Sequence, residues 1–132
     1  MKYLLDTNMV IYYLRKRLEV VRHMEDTRPG DRYLSLITLG ELYYGVFNSI
    51  RWQQNLVRYR GFFARTKVLP FTPDVADRYG RVKAHLQKRG APIADNDLWI
   101  AAHALEHDVT LVTNNERDFS RIPRLKLVNW AA

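Results

Sequence analysis

Short apolar runs that stop at polar, helix-starting residues recur along this chain, and that alternation leaves it few folds to adopt. Tyr3-Leu4-Leu5 closes on Asp6-Thr7-Asn8, three residues that suit a helix N-terminus. Helical material from about Met9 to Met24 follows, interrupted near Arg15-Lys16-Arg17 and closed by the turn signal Arg28-Pro29-Gly30-Asp31. A second run, Arg32 to Ile37, leads into Thr38-Leu39-Gly40-Glu41, a capping-box pattern that predicts a helix start there. Two helices broken near Asn48-Ser49 then precede a third strand at Lys67-Val68-Leu69-Pro70. Thr72-Pro73-Asp74 opens a helix to Arg89, which Gly90 ends. A helix from Asp95-Asn96-Asp97 through Glu106, a strand over Val109–Thr113 and a final edge strand within Leu125–Val128 complete the order. Strands separated by helices require crossover connections. The expected fold is therefore α/β: one domain over residues 1–132, with a twisted, mainly parallel sheet of about five strands flanked by helices on both faces.

In such sheets, ligands bind beyond the carboxyl ends of the strands. Asp6, Glu41 and Asp118 all follow predicted strands, and Asp97 starts the helix that feeds the fourth. The four acids can therefore converge. Each has a local explanation when taken alone: Asp6 as a helix cap, Glu41 as the acid of the Thr38 capping box, Asp97 against a helix dipole, Asp118 as a solvated loop residue. Four carboxylates at one sheet edge would repel one another, however, and a bound cation is the natural compensation. The chain has no cysteine, and no histidine falls in the pattern, so the oxygen-only donor set favours Mg2+, with Mn2+ as a substitute, over zinc. His103 and His107 stand four apart on a predicted helix, a spacing that can bind zinc, but no third ligand accompanies them and they are expected to be structural.

Charge narrows the substrate. Lys and Arg number 21 against 14 acids, a formal net charge of +7. Between Leu42 and Pro73 there is no acid, while Arg51, Arg58, Arg60, Arg65 and Lys67 are interleaved with aromatics. That stretch reads either as a helix pair with an aromatic core and solvated arginines or as a surface for an anionic partner. A carboxylate cluster on a basic chain points to phosphodiester hydrolysis, in which two ions about 3.5–4 Å apart can activate water and stabilise the leaving oxygen. Other phosphate chemistries fit poorly. Asn8 stands where a haloacid-dehalogenase-type phosphatase needs a second aspartate, the third strand ends without the acid of a response-regulator receiver, and no Walker-type loop is present. No apolar run reaches the roughly 20 residues of a membrane span. An acid at position 6 comes too early for a signal-peptide core, so a cytoplasmic location and no membrane are expected.

Four segments in order carry a family resemblance: Leu4-Leu5-Asp6-Thr7-Asn8; Ser35-Leu36-Ile37-Thr38-Leu39-Gly40-Glu41-Leu42 with Tyr44-Gly45; Ile93-Ala94-Asp95-Asn96-Asp97 leading into Ile100-Ala101-Ala102-His103-Ala104; and Val112-Thr113-Asn114-Asn115 before Asp118-Phe119. With them the chain resembles the PIN-domain nucleases, and among these the VapC-type toxins of toxin–antitoxin pairs. The resemblance implies a PIN-like fold, Mg2+-dependent endoribonuclease activity yielding 5′-phosphate and 3′-hydroxyl ends, a homodimer, and inhibition by a cognate VapB-type antitoxin. By position, Asp6, Glu41 and Asp97 match three family acids, with Asp6 and Asp97 as direct metal ligands and Glu41 acting partly through water. Asp118 matches the fourth, with Glu116 as its substitute, and Asn115 stands where some relatives carry an acid. Thr7, Asn8, Thr113, Asn114 and Asn115 are expected to support the carboxylates from around them. Two alternatives remain at this point: a non-catalytic RNA- or protein-binding PIN domain, and a DNA-cutting PIN-like nuclease.

Overall fold

A computed structural model describes residues 1–132. The elements run β1 (Tyr3–Leu5), α1 (Thr7–Leu14), α2 (Leu18–Glu25), a 3-10 turn (Pro29–Asp31), β2 (Arg32–Leu34), α3 (Leu36–Phe47), α4 (Trp52–Ala64), β3 (Lys67–Val68), α5 (Pro73–Lys88), α6 (Asp95–His107), β4 (Thr110–Val112), α7 (Glu116–Phe119) and β5 (Leu127–Val128). The strands form one sheet in the order β3-β2-β1-β4-β5, and every neighbouring pair is parallel. The expected mainly parallel sheet is thus wholly parallel. No helix is long and apolar enough to cross a membrane.

Side-chain alternation in β1 and β4 separates two cores. Successive residues of a strand point to opposite faces. Leu4 and its register partner Leu111 pack on one face with Val82 and Leu86 of α5, Ile100, Ala101 and Ala104 of α6, and Phe119 of α7. Leu5 and Val112 pack on the other with Met9, Val10 and Leu14 of α1, Val20 and Met24 of α2, Leu42 of α3 and Phe62 of α4. An apolar strand with no polar alternation signals burial on both faces, and Leu4 and Leu5 are 0% and 1% exposed. Each such side chain contributes roughly 1.5–3 kcal/mol of burial free energy.

Helix ends follow local chemistry with one correction. Gly90 (φ 65°) and Asp108 (φ 52°) adopt the left-handed conformation just beyond α5 and α6, the usual way to stop a helix. The capping box expected at Thr38 and Glu41 does not form. Instead α3 starts two residues after β2, with the Ser35 hydroxyl accepting the Ile37 N–H at 3.2 Å. Thr38 is buried in the first turn and Glu41 lies further into the helix, because both face across the sheet edge toward α1 rather than back to their own helix start. A second difference is that the segment holding Asp118 is the one-turn helix α7, packed through Phe119.

Part of the aromatic and basic stretch packs within the chain, with Phe62 buried and Tyr44, Phe47 and Trp52 left exposed. Tyr43, Phe47, Trp52, Tyr59, Phe62 and Phe63 meet ring to ring between α3 and α4. Phe71 instead packs against Trp99 and His103 of α6. The two helix histidines are anchored structurally: Nε2 of His103 and of His107 both lie at hydrogen-bond distance from the Pro70 carbonyl oxygen, 3.0 and 2.8 Å away.

Candidate active site

Strand order reverses direction at β1, between the chain that continues to β2 and the later return at β4. The carboxyl end of β1 therefore opens a crevice. Asp6 stands there, its backbone N–H still in the sheet ladder through the Val112 carbonyl at 3.0 Å. Its carboxyl caps α1, with Oδ1 accepting the Met9 N–H at 3.0 Å. The capping explanation is therefore correct, and it engages only one of the two carboxyl oxygens in a helix bond. A cavity of about 160 Å3 adjoins it, lined by Asp6, Thr7, Asn8, Glu41, Asp97, Ile100 and Asn115. Three of the four predicted acids thus share one cavity, although they are 35 and 56 positions apart in the chain.

Neutral side chains hold these acids in place. The Thr7 hydroxyl donates to Glu41 Oε1 at 2.5 Å, and Asn96 Nδ2 donates to Glu41 Oε2 at 3.3 Å. Asn115 reaches two acids with one amide nitrogen: Nδ2 lies 3.2 Å from Asp118 Oδ2 and 3.5 Å from Asp97 Oδ2. Its own backbone N–H is held by Thr113 Oγ1 at 3.0 Å, and Thr113, fully buried, also hydrogen-bonds the Asp6 carboxyl. Asp118 is therefore tied to Asp97 through Asn115, and it also lies 3.7 Å from Arg121. Glu116 turns elsewhere and accepts from Asn129 Nδ2 at 2.8 Å. Asn114 likewise faces α1, donating to the Tyr12 hydroxyl at 2.9 Å.

The electrostatics are unfavourable for ionised carboxylates. Burial, and to a smaller extent the nearby Asp97 and Glu41, push the Asp6 carboxyl up to about 6, against the lowering by its bonds from Thr113 and Met9. Asp97 is also raised, first by burial, then by Glu41 and Asp118, with Asn115 acting in the opposite direction. None of Asp6, Glu41 and Asp97 forms an ion pair with any lysine, arginine or histidine, although seven other acid–base pairs occur in the molecule. In a chain of net charge +7, these acids are kept apart from the available cations. The neighbouring Asp95 shows the contrast, since Lys83 Nζ and the Tyr79 hydroxyl both bind it at 2.9 Å on the outer side of α6.

As the side chains stand, no three of the carboxylates form a ready chelating group. The donor set nonetheless suits a hard divalent ion: carboxylate and amide oxygens, no sulfur or imidazole, and raised proton affinities that a cation would reverse. Sequence reasoning missed Asn96 as a partner of Glu41. Only its place beside Asp97 at a helix start signalled it, because the acid it serves is 55 positions away.

Comparison with known proteins shows the family and the fold. The PIN domain family model matches residues 3–125. Ribonuclease VapC2 of Haemophilus influenzae is 40% identical over 131 residues, 98% of each chain, and the tRNA(fMet)-specific endonuclease VapC of Salmonella typhimurium is 35% identical over 130 residues at the same coverage. Among solved structures, DNA-bound VapBC from Salmonella typhimurium superposes with a TM-score of 0.92 at 35% identity, covering 98% of each chain. VapBC2 from Rickettsia felis, bound to a DNA fragment from its promoter, gives 0.89 at 36% identity, covering 98% of this chain and 99% of that one. By the family model over residues 3–125, the whole-chain similarity and the shared fold, this chain belongs to the PIN-domain family and, within it, to the VapC group.

Proposed function

We propose that the chain is a metal-dependent endoribonuclease and the toxin of a VapBC-type toxin–antitoxin pair. One observation carries the reading: buried or half-buried carboxylates without cationic partners gather around a small cavity at the carboxyl edge of the sheet. The names of the relatives, ribonuclease and endonuclease, support the same chemistry. Asp6 and Asp97 would hold Mg2+ or Mn2+ directly, with Glu41 partly through water and Asp118 at the far side. When bound, the ion supplies Lewis-acid polarisation of the phosphoryl oxygens and lowers the proton affinity of water.

The chain's own residues then have separable tasks. Thr7 and Asn96 fix both oxygens of Glu41, so that this side chain keeps one orientation. Asn115 sets the spacing of Asp97 and Asp118, and Thr113 connects that loop to Asp6. Water is the attacking group in this reading, the one hydroxyl of the cavity wall, that of Thr7, being bonded to Glu41. Solved relatives described as VapBC support a VapB-type antitoxin as partner, and the resemblance adds a homodimer.

The test is cleavage of RNA by the purified chain and by Asp6→Asn and Asp97→Asn, with Mg2+ and after chelation. Loss of at least a hundredfold in each variant, and loss on chelation restored by Mg2+, is expected. Undiminished cleavage by both variants would remove this cavity as the active site.

A further inference from the structure

A second hollow opens beside the carboxylate cavity. Its volume is about 630 Å3, and Leu36, Ile37, Gly40, Glu41, Tyr44 and Asn96 line it. Glu41 belongs to the walls of both spaces. Leu36, Gly40 and Tyr44 are spaced four apart on α3, so they form one stripe along the helix. That stripe is open to solvent, with Leu36 53% and Tyr44 71% exposed. Its neighbours Tyr43 and Phe47 are engaged with Phe63 and Trp52, whereas the Tyr44 ring stacks on no other aromatic.

Gly40 is the informative residue. It sits inside α3 with no positive φ, where glycine weakens a helix relative to alanine. A Cβ added there would meet nothing within 4 Å. Neither backbone conformation nor close packing asks for glycine at this position. Its missing side chain leaves bare backbone on the wall of the hollow next to Glu41.

We infer that this hollow seats one nucleobase of the RNA beside the scissile phosphate, stacked on Tyr44 and lying over Gly40. The inference rests on the ribonuclease reading, since it takes the neighbouring cavity as the place of bond cleavage. Exposed aromatics are the usual stacking partners of unpaired bases. A neutral base also suits a wall that contains Glu41, which would repel a phosphate. Leu36 and Ile37 supply apolar sides. Asn96 donates to Glu41 through Nδ2, leaving its Oδ1 to accept from a base amino or imino group. The site would therefore select the base at one position next to the cut.

The experiment uses the full chain and a short RNA of defined sequence, with each nucleotide flanking the cut replaced in turn by an abasic one. Tyr44→Ala should lower kcat/KM about tenfold on the intact RNA, the size of one base-stacking contact. At one abasic position the unmodified protein should lose the same factor, and Tyr44→Ala should lose nothing more. Anisotropy of the labelled RNA in chelator should show Kd about tenfold weaker for Tyr44→Ala. Gly40→Leu, which fills the hollow and favours the helix, should raise Tm while weakening both cleavage and binding. Equal sensitivity of the variant and the unmodified protein at every abasic position would overturn the subsite, as would a Tyr44→Ala change in sedimentation showing that this face joins two copies. If the unmodified protein cuts no RNA, the ribonuclease reading fails instead, and the anisotropy comparison alone decides the subsite.

Discussion

Replacing Asp6 by Asn should stabilise the metal-free protein at pH 8 and abolish stabilisation by Mg2+. The Asp6 carboxyl is 7% exposed, and its proton affinity rises from an ordinary 3.8 to about 6. That rise corresponds to about 3 kcal/mol. Well below pH 3.8 the group is neutral in the folded and unfolded chains alike and costs nothing. Between 3.8 and about 6 the unfolded chain releases its proton first, so stability falls as pH rises, and above 6 the full amount is lost. Asparagine keeps an oxygen for the Met9 N–H, and it ranks with aspartate as a helix cap, so the substitution separates charge from capping. In chelator at pH 8 the variant should melt higher, by up to roughly 10 °C for the full effect. At pH 4 the gap should nearly close. With Mg2+ at a hundredfold excess over its Kd, the unmodified protein should gain about 2.7 kcal/mol and the variant little. Thermal melts across this pH range with and without Mg2+ check both parts. A variant that is less stable at every pH would refute the charge argument and leave Asp6 as a cap alone.

Three further outcomes follow from the same geometry. Asp97→Asn should remain folded and melt a few degrees higher without metal, since burial, Glu41 and Asp118 all disfavour its charge, and circular dichroism melts in chelator check this. Asn115→Ala should reduce cleavage about 10- to 100-fold, because it frees both Asp97 and Asp118, whereas Glu116→Ala should leave the rate nearly unchanged. Single-turnover assays of the two variants would then decide the fourth corner of the site, and the opposite ranking would assign it to Glu116. Ser35→Ala should cost about 1 kcal/mol in denaturant unfolding through loss of the α3 cap.

What could be read from the residues divides along sequence separation. The strands and most helix limits came from patterns within a few residues, such as Tyr3–Leu5 before a capping aspartate or Gly90 after a helical run. The start of α3 did not. Two capping patterns overlap between Ser35 and Glu41, and contacts across the sheet edge, from Thr7 to Thr38 and Glu41, withdraw the second from its local use. Asp6, Glu41 and Asp97 were legible as acids at strand and helix ends. The hydrogen bonds that distinguish Asp118 from Glu116, and that bring Asn96 into the site, join residues whose proximity exists only after folding. Asn114, expected to support the carboxylates, is one residue from Asn115 yet faces α1, because the chain bends at Asn114 after β4.

The position of β1 between two cores also determines where the chain can change length. Leu4 and Leu5 serve opposite faces, and the next residue is Asp6, held in the ladder by Val112. One residue inserted between Tyr3 and Asp6 would exchange both leucines and carry the carboxylate about 3.3 Å along the strand direction. The turn at 48–51 between α3 and α4 lies outside the sheet, and although Ser49 ties Val46 to Asn55 there, Ile50 is 98% exposed. Lineages of this protein should therefore tolerate added length at Ile50 and none between Tyr3 and Asp6, and a tag or loop inserted for labelling belongs at Ile50.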